Sequence, residues 1–212
     1  ILYRINGKKY EKVILLIGND FLNCDNLSGT TTAGTPQDND GSWFDLIDGA
    51  TELVIKMIES FLPIAPVEVY SINSNHDTHS FYGVSKSVEF YFKNDNNVTF
   101  ENSPLPRKYY IFGKNIIAFT HDIPIKRALE IITSEAKSSW SNATHMYWFL
   151  AHLHTGMEYE KQGYLEIYRI PTISGWSRWT NEKGYQQTEK KTQCFVFDKE
   201  NGITEIMNIV VN

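Results

Sequence analysis

The feature that most constrains this chain is an apolar run at Val13–Gly18, whose sequence VILLIG ends at a glycine. A continuous run of this length is typical of a strand that is buried on both faces of a sheet. Such strands occur mainly in parallel sheets that carry helices on their faces. The run therefore predicts an α/β protein.

Periodicity along the rest of the chain extends this prediction. Apolar residues at helical spacing predict helices at Trp43–Leu62, Phe81–Phe92 and Ile125–Lys137. A polar loop is predicted at Asn19–Ser42, since this stretch is rich in Thr, Asn, Asp and Gly. Further strands are predicted at Pro66–Ile72, Val98–Phe100, Lys108–Phe112, Ile116–Phe119, His145–Leu150, Tyr164–Ile170, Thr192–Phe197 and Ile203–Val211. We interpret residues 1–212 as a single domain, α/β in its first half and mostly β in its second.

Bulk properties exclude some classes of protein. The chain has 212 residues and a net charge of −5, which gives no support to a DNA-coating protein, although bound divalent cations can reverse the sign of a local cleft. No apolar run is long enough for a membrane span. Two cysteines far apart, Cys24 and Cys194, predict no disulfide framework and suit a reducing cytoplasm. Because the first residue is Ile1 rather than Met, we expect a fragment or a processed product.

Four polar clusters follow apolar strands directly. Strand carboxyl ends are where α/β sheets place their binding sites, because the loops there converge on one edge. Oxygen and imidazole groups of this mixture suit Mn, Fe or Zn rather than a site that selects for thiolates. The clusters are Gly18-Asn19-Asp20, Ser74-Asn75-His76-Asp77, Thr120-His121-Asp122 and Ala151-His152-Leu153-His154.

The distribution of histidine strengthens the case for a metal site. Four of the six histidines occupy these strand-end clusters, whereas His79 and His145 show no such pattern. A single histidine at a strand end is more often a hydrogen-bonded core residue than a ligand. Four in this arrangement, with Asp20 and Asn75 in matching places, favour metal binding.

The four clusters resemble the successive signatures of the calcineurin-like metallophosphoesterases, from about Val13 to Ile170. Within that family, the sequence most resembles phage and prophage members, which are distantly related to DNA-repair exonuclease subunits. The resemblance implies a four-layer α-β-β-α sandwich. It also implies two divalent metal ions, with Mn favoured and Fe, Zn, Mg or Ni as alternatives, and an activated hydroxide that attacks phosphorus.

The resemblance also implies roles for individual residues. Asp20 would bridge both metals. Asn75, His121 and His152 would complete the ligands of one metal, and His154 would ligate the other. His76 would stabilise charge or protonate the leaving group, oriented by Asp77. The implied metal ligands are Asp20, Asn75, His121, His152 and His154.

The chain departs from the family pattern in two ways. Ser74 and Ala151 stand where the motifs usually carry glycine, and both are small. The family's first strand, which carries Asp-x-His, has no match before Gly18. We expect that strand upstream of Ile1, so that one of the two metal sites is incomplete in this chain.

Several residues have two interpretations. Thr32 and Thr35 lie in the loop Thr30–Asp40. They either bind substrate phosphate or belong to a flexible surface loop with no role in binding. Trp176 and Arg178 either stack on a base or ribose, or pack at the rim.

Three further positions near the clusters also have alternatives. Asp25 and Asn26 either support Asp20 or form an Asx turn, which we favour slightly. Cys24 is a metal ligand or, more in line with its type, a small buried residue. Asp122 is a partner of His121 or a solvated turn residue.

Three functional hypotheses follow. The first is a metal-dependent phosphodiesterase, in particular a phage or bacterial nuclease acting on DNA, with a homo-oligomer or a recombination or repair protein as possible partner. The second is a phosphomonoesterase or nucleotide phosphatase, towards which the acidic charge leans. The third is a non-catalytic scaffold with a degenerate version of the same fold.

Overall fold

The computed structural model of the chain describes residues 1–153, 158–174 and 190–211. The chain divides into two compact units, Ile1–Pro106 and Arg107–Asn212. Both units combine helices with strands, which confirms the predicted α/β class. The first unit contains a parallel sheet and the second contains a mixed sheet. The single domain and the four-layer arrangement stay predictions. Within the described ranges, no helix is both long and apolar enough to cross a membrane.

The first unit contains a three-stranded parallel sheet in the order β1-β2-β3. Each strand pair is connected through a helix, as parallel neighbours require. Its elements are α1 (Leu2–Ile5), β1 (Val13–Gly18), α2 (Trp43–Phe61), β2 (Val67–Ile72), α3 (Thr78–Tyr91) and β3 (Val98–Glu101).

Strand β1 forms where it was predicted, but its burial differs from the expectation. Leu15 and Ile17 are buried, whereas Ile14 and Leu16 on the other face are only half-buried. The expectation of burial on both faces is therefore wrong for this strand. The physical reason is that β1 lies at an edge of the sheet. It has a neighbouring strand on one side only, so its side chains are covered less completely than those of the inner strand β2.

Helix α2 confirms the prediction made from periodicity. Ser42 and Asp45 form a capping box at its start, and the helix ends two residues before Pro63. Its buried face packs against α3 and the sheet. The buried core of the unit includes Ala50, Val54, Ile58, Val67, Val69, Phe81, Val84 and Val88.

Helix α3 begins at Thr78, earlier than the predicted start at Phe81. Its N-cap residue, Asp77, makes no side-chain cap bond to the helix. Instead, the carboxylate of Asp25 in the long loop accepts hydrogen bonds from the backbone N–H groups of His79 (2.9 Å) and Ser80 (2.7 Å). These bonds satisfy donors that an α-helix leaves unpaired in its first turn. A cap supplied by a distant loop leaves no local sequence signal.

The second unit contains a five-stranded mixed sheet in the order β4-β5-β6-β8-β7, together with the antiparallel pair β9–β10. Strands β5, β6 and β8 run parallel to one another. The elements are β4 (Arg107–Phe112), β5 (Asn115–Thr120), α4 (Ala128–Glu135), α5 (Lys137–Trp140), β6 (His145–Leu150), β7 (Glu158–Gln162), β8 (Leu165–Arg169), β9 (Lys191–Asp198) and β10 (Gly202–Val210).

Three elements differ from the sequence prediction. The helix predicted at Ile125–Lys137 is divided into a 3₁₀ turn at Ile125–Arg127, α4 and α5, because the backbone leaves the helical conformation at Arg127 and again at Ala136. Strand β7 was not predicted, since its sequence EYEKQ lacks an apolar run and the strand lies at the sheet edge. The short helix α1 was also missed. One turn is too short to produce a periodic signal.

The core of the second unit is centred on Trp148 of β6, which is fully buried. Its indole Nε1 donates a hydrogen bond to the carbonyl oxygen of Ala128 at 3.1 Å. This bond ties the start of α4 to the central strand. Strand β5 is buried along its whole length, as expected for an interior strand covered on both faces.

Candidate metal centre

In the first unit, the end of β1 lies unusually close to the end of β2. Gly18 has φ 98°, and a Cβ atom built on it would lie 2.1 Å from the carbonyl oxygen of Ile72. The following residue, Asn19, donates its backbone N–H to the same oxygen at 3.1 Å. This close approach sets where the chain leaves the strand, and hence where Asp20 begins the loop.

Asp20 and His152, two of the predicted ligands, have left-handed backbone conformations. Among the described residues, the non-glycine positions with positive φ are Asn19 (59°), Asp20 (63°) and His152 (72°). Such conformations cost roughly 1–3 kcal/mol and persist where the surroundings hold them, often at functional sites. Asn, Asp and His tolerate this region better than most residues do.

Asp77 links the loops that follow β1 and β2. Its Oδ2 accepts the backbone N–H of Leu22 at 2.7 Å, and its Oδ1 accepts the hydroxyl of Ser74. The side chain is fully buried. Burial raises the pKa of Asp77 to about 6, although the hydrogen bonds from Ser74 and Leu22 oppose this rise and the nearby negative charges of Asp20 and Asp25 add to it.

This shift predicts a pH dependence of stability. The pKa of Asp77 in the folded state, about 6, lies above the ordinary aspartate value of 3.8, so the folded chain binds the proton more tightly than the unfolded chain does. The stabilisation is fully present below about pH 4 and is lost as the pH rises through about 6, with a total of about 3 kcal/mol. We expect Asp77→Asn, which stays neutral, to gain stability relative to the wild type between pH 4.5 and 8. Urea unfolding with a chelator present measures this difference, and an equal difference at both pH values would contradict it.

His76 is held by the loop after β1. Its Nδ1 lies 3.3 Å from the carbonyl oxygen of Asn23. A carbonyl only accepts hydrogen bonds, so Nδ1 carries the proton and Nε2 is the nitrogen that can exchange protons. The His76 ring is therefore oriented by the backbone carbonyl of Asn23, whereas the sequence had suggested Asp77 for this role. Sequence analysis missed this contact, because a carbonyl acceptor carries no residue-type signal.

Asp25 has a role that neither interpretation anticipated. Besides capping α3, its carboxylate accepts the hydroxyl of Thr32 and the ring Nδ1 of His79, both at 2.7 Å. Burial alone would raise the pKa of Asp25, but the hydrogen bonds from Ser80, Thr32 and His79 outweigh burial and lower the pKa. Asp25 therefore remains an ionised anchor for the loop.

The other loop residues are placed as follows. Asn26 accepts the backbone N–H of Ser28 through its side chain at 3.0 Å, which is the Asx turn favoured from sequence. Thr32, bonded to Asp25, also accepts the backbone N–H of Thr78 at 3.3 Å. Thr35 is exposed, and Cys24 is buried, as its residue type suggested.

In the second unit, the parallel pairing of β5 and β6 brings two predicted ligands together. Phe119 of β5 is paired with Phe149 of β6, so the residues that follow the two strands emerge side by side. The Nε2 of His121 lies 2.9 Å from the Nδ1 of His152. Without a metal, one of these nitrogens donates a hydrogen bond and the other accepts it.

This imidazole pair fits a metal ion. Two imidazole nitrogens bound to one tetrahedral zinc at about 2.0–2.1 Å would stand about 3.3 Å apart. The observed 2.9 Å separation needs only a small opening of the pair to match this spacing. Each ring can bind the metal as a neutral ligand, through the lone pair of one nitrogen.

His121 and His152 are two imidazoles of the second unit that could hold a metal ion, and Asp20 of the first unit stays a predicted carboxylate ligand. This is a mixture of ligands that catalytic zinc and similar ions use. The identity of the metal and the number of ions stay predictions.

Asn75 is exposed at the turn after β2. His154, Trp176 and Arg178 lie outside the described residues.

Asp122, beside His121, is exposed, and its carboxylate accepts a hydrogen bond from Nη1 of Arg169 at 3.2 Å. This acidic residue is thus more than a solvated turn residue. Nothing in the local sequence indicated Arg169 as its partner, since the two residues lie on separate elements.

Comparison with known proteins gives a limited result. No protein-family model and no curated protein matches the chain. Among solved structures, it is similar to a conserved uncharacterized protein of Streptococcus pneumoniae TIGR4, described as a predicted phosphoesterase. That match has 11% identity and a TM-score of 0.35, and it covers 93% of this chain and 97% of the other. A TM-score this low does not establish a shared fold.

Proposed function

We propose that this chain is a metal-dependent phosphoesterase of the calcineurin-like type that hydrolyses phosphodiesters. The observation that carries the proposal is the imidazole pair of His121 and His152, 2.9 Å apart, on loops that leave neighbouring parallel strands. The order of the four motifs and the left-handed backbone of Asp20 and His152 support it further.

The ligand set proposed here begins with Asp20, His121 and His152. Asn75 and His154 are proposed as further ligands on the strength of the motif pattern alone. A bound divalent cation supplies Lewis acidity that polarises a phosphoryl oxygen. A second metal ion, manganese as the preferred metal, DNA as the substrate, a repair partner and a cytoplasmic location remain expectations from the same resemblance.

His76 is proposed as the residue that moves a proton. The carbonyl of Asn23 keeps one proton on Nδ1, so the proton that passes to the leaving alkoxide, or that stabilises the charge developing on it, is the second one, carried on Nε2 of the imidazolium. Asp77, through Leu22 and Ser74, keeps the two loops of this unit in register. The chain thus holds the histidine by backbone geometry rather than by a carboxylate partner.

The experiment compares an aryl phosphodiester with the matching aryl phosphomonoester in the presence of manganese. We expect faster hydrolysis of the diester, and a fall of roughly 10²–10⁴-fold in the rate for His76→Ala. Metal content measured on the same samples should be unchanged, because the proposal gives His76 no ligand role. His79→Ala is the matched control, since its imidazole is exposed and is bonded to the capping carboxylate of Asp25.

The outcomes separate the alternatives. Faster hydrolysis of the monoester would replace the diesterase assignment with a phosphomonoesterase. Metal binding without hydrolysis of either ester would favour a non-catalytic scaffold. Equal loss of activity in His76→Ala and His79→Ala would contradict the role given to His76.

A further inference from the structure

Arg169, the last residue of β8, contacts the residues next to both histidines of the second unit. Its Nη1 donates hydrogen bonds to the carbonyl oxygen of Ala151 (2.7 Å) and to the carboxylate of Asp122 (3.2 Å). Ala151 directly precedes His152, and Asp122 directly follows His121. We propose that Arg169 is a positioning residue that sets the spacing of the imidazole pair, an inference that rests on the proposed metal-binding function.

The topology explains why one side chain can reach both loops. Strands β5, β6 and β8 are parallel neighbours, so their carboxyl ends meet at one edge of the sheet. Leu150 is paired with Arg169, and the backbone N–H of Ala151 donates to the carbonyl of His121 at 3.0 Å. One backbone bond therefore joins the two histidine loops directly, and Arg169 joins them a second time.

His152 is the part of this arrangement that most needs support. Its φ of 72° is one that a non-glycine residue keeps only when neighbouring contacts hold it. The hydrogen bond from Arg169 fixes the peptide immediately before it. Without this bond, we expect the His152 ring to leave the position from which it meets His121.

The burial of Arg169 indicates that its position is specific. Its side chain is only 7% exposed, whereas that of its partner Asp122 is 40% exposed. Burying a cation is costly unless it is paired and hydrogen-bonded, and here both requirements are met at the edge where the imidazoles lie.

The test measures zinc binding by calorimetry with the whole chain. We expect Arg169→Met to weaken zinc affinity by roughly 10–100-fold, the effect typical of residues that orient metal ligands. Asp122→Ala removes one of the two acceptors and should weaken the affinity less. Arg127→Met is the matched control, because that guanidinium is exposed and pairs with Glu130 on its own segment. The zinc affinity of Arg127→Met should equal that of the wild type.

A second readout does not depend on metal. In the metal-free protein, the imidazole N–H shared by His121 and His152 should give a protected proton resonance in the NMR spectrum. We expect this signal in the wild type and in Arg127→Met, and its loss in Arg169→Met. If the wild type binds no zinc, the proposed function fails, while the resonance still decides the role of Arg169.

Three results would overturn the role of Arg169. The first is a folded Arg169→Met that keeps both the zinc affinity and the resonance of the wild type. If Arg169→Met does not fold, the exposed Asp122→Ala decides instead, and wild-type behaviour in both readouts would overturn the proposal. Absence of the shared resonance from the wild type itself would do the same.

Discussion

His152→Ala is expected to lower the affinity of the chain for zinc by more than about 100-fold, because loss of a ligand should exceed the 10–100-fold effect of losing a residue that only orients one. The change removes one of the two imidazoles that lie 2.9 Å apart and leaves His121 without its partner. A tetrahedral zinc site draws on three or four protein ligands, so the loss of one imidazole removes a large part of the binding. Calorimetric titration of the metal-free chain with zinc measures the change.

His145→Ala is the matched control for this prediction. His145 is the first residue of β6, and its Nε2 lies 3.0 Å from the carbonyl of Glu200. It is the same residue type, but it lies at the end of β6 opposite to the loop that carries His152. We expect its loss to leave zinc affinity unchanged. Wild-type affinity in His152→Ala, or an equal loss in both variants, would contradict the ligand assignment.

Gly18→Ala is expected to cost roughly 3 kcal/mol or more of unfolding free energy, since a strained backbone costs about 1–3 kcal/mol and an overpacked contact adds a similar amount. A methyl group at this position would lie 2.1 Å from the carbonyl oxygen of Ile72, an atom of the neighbouring strand that cannot simply rotate away. The backbone φ of 98° adds strain for any residue with a Cβ atom. Urea unfolding of the variant and the wild type measures the cost.

Gly49→Ala provides the opposite expectation from the same substitution. Gly49 lies inside α2, and a Cβ atom there would have no neighbour within 4 Å. Alanine in a helix interior is more favourable than glycine by roughly 0.5–1 kcal/mol, so this variant should gain stability. If Gly18→Ala were as stable as Gly49→Ala, the close approach of β1 to β2 would not be what sets the start of the Asp20 loop.

Every described strand except β7, and the positions of the polar clusters, could be predicted from the sequence for a physical reason. Apolar runs such as the one at Val13–Gly18 are local patterns, and burial of those runs is what places them in sheets. Parallel pairing then brings their carboxyl ends to one edge, so the meeting of His121 with His152 followed from the motif positions. Local patterns and simple topology were sufficient for that part of the site.

The contacts that support the site could not be predicted in this way. Asp25 caps α3 from more than 50 positions away, and Asn23 orients His76 through a carbonyl group. Arg169 reaches both histidine loops only because β8 lies beside β6. Each of these contacts joins residues that are distant in sequence. Residue type alone does not identify such partners, since they depend on which elements become neighbours.

The central claim is that His121 and His152 bind one metal ion together with oxygen ligands. X-ray absorption spectroscopy of the zinc-loaded protein tests it most directly, because imidazole nitrogens have a recognisable scattering pattern. We expect two imidazoles at about 2.0–2.1 Å from zinc in the wild type and one in His152→Ala. A wild-type spectrum that contains only oxygen ligands, or one that His152→Ala leaves unchanged, would contradict the claim.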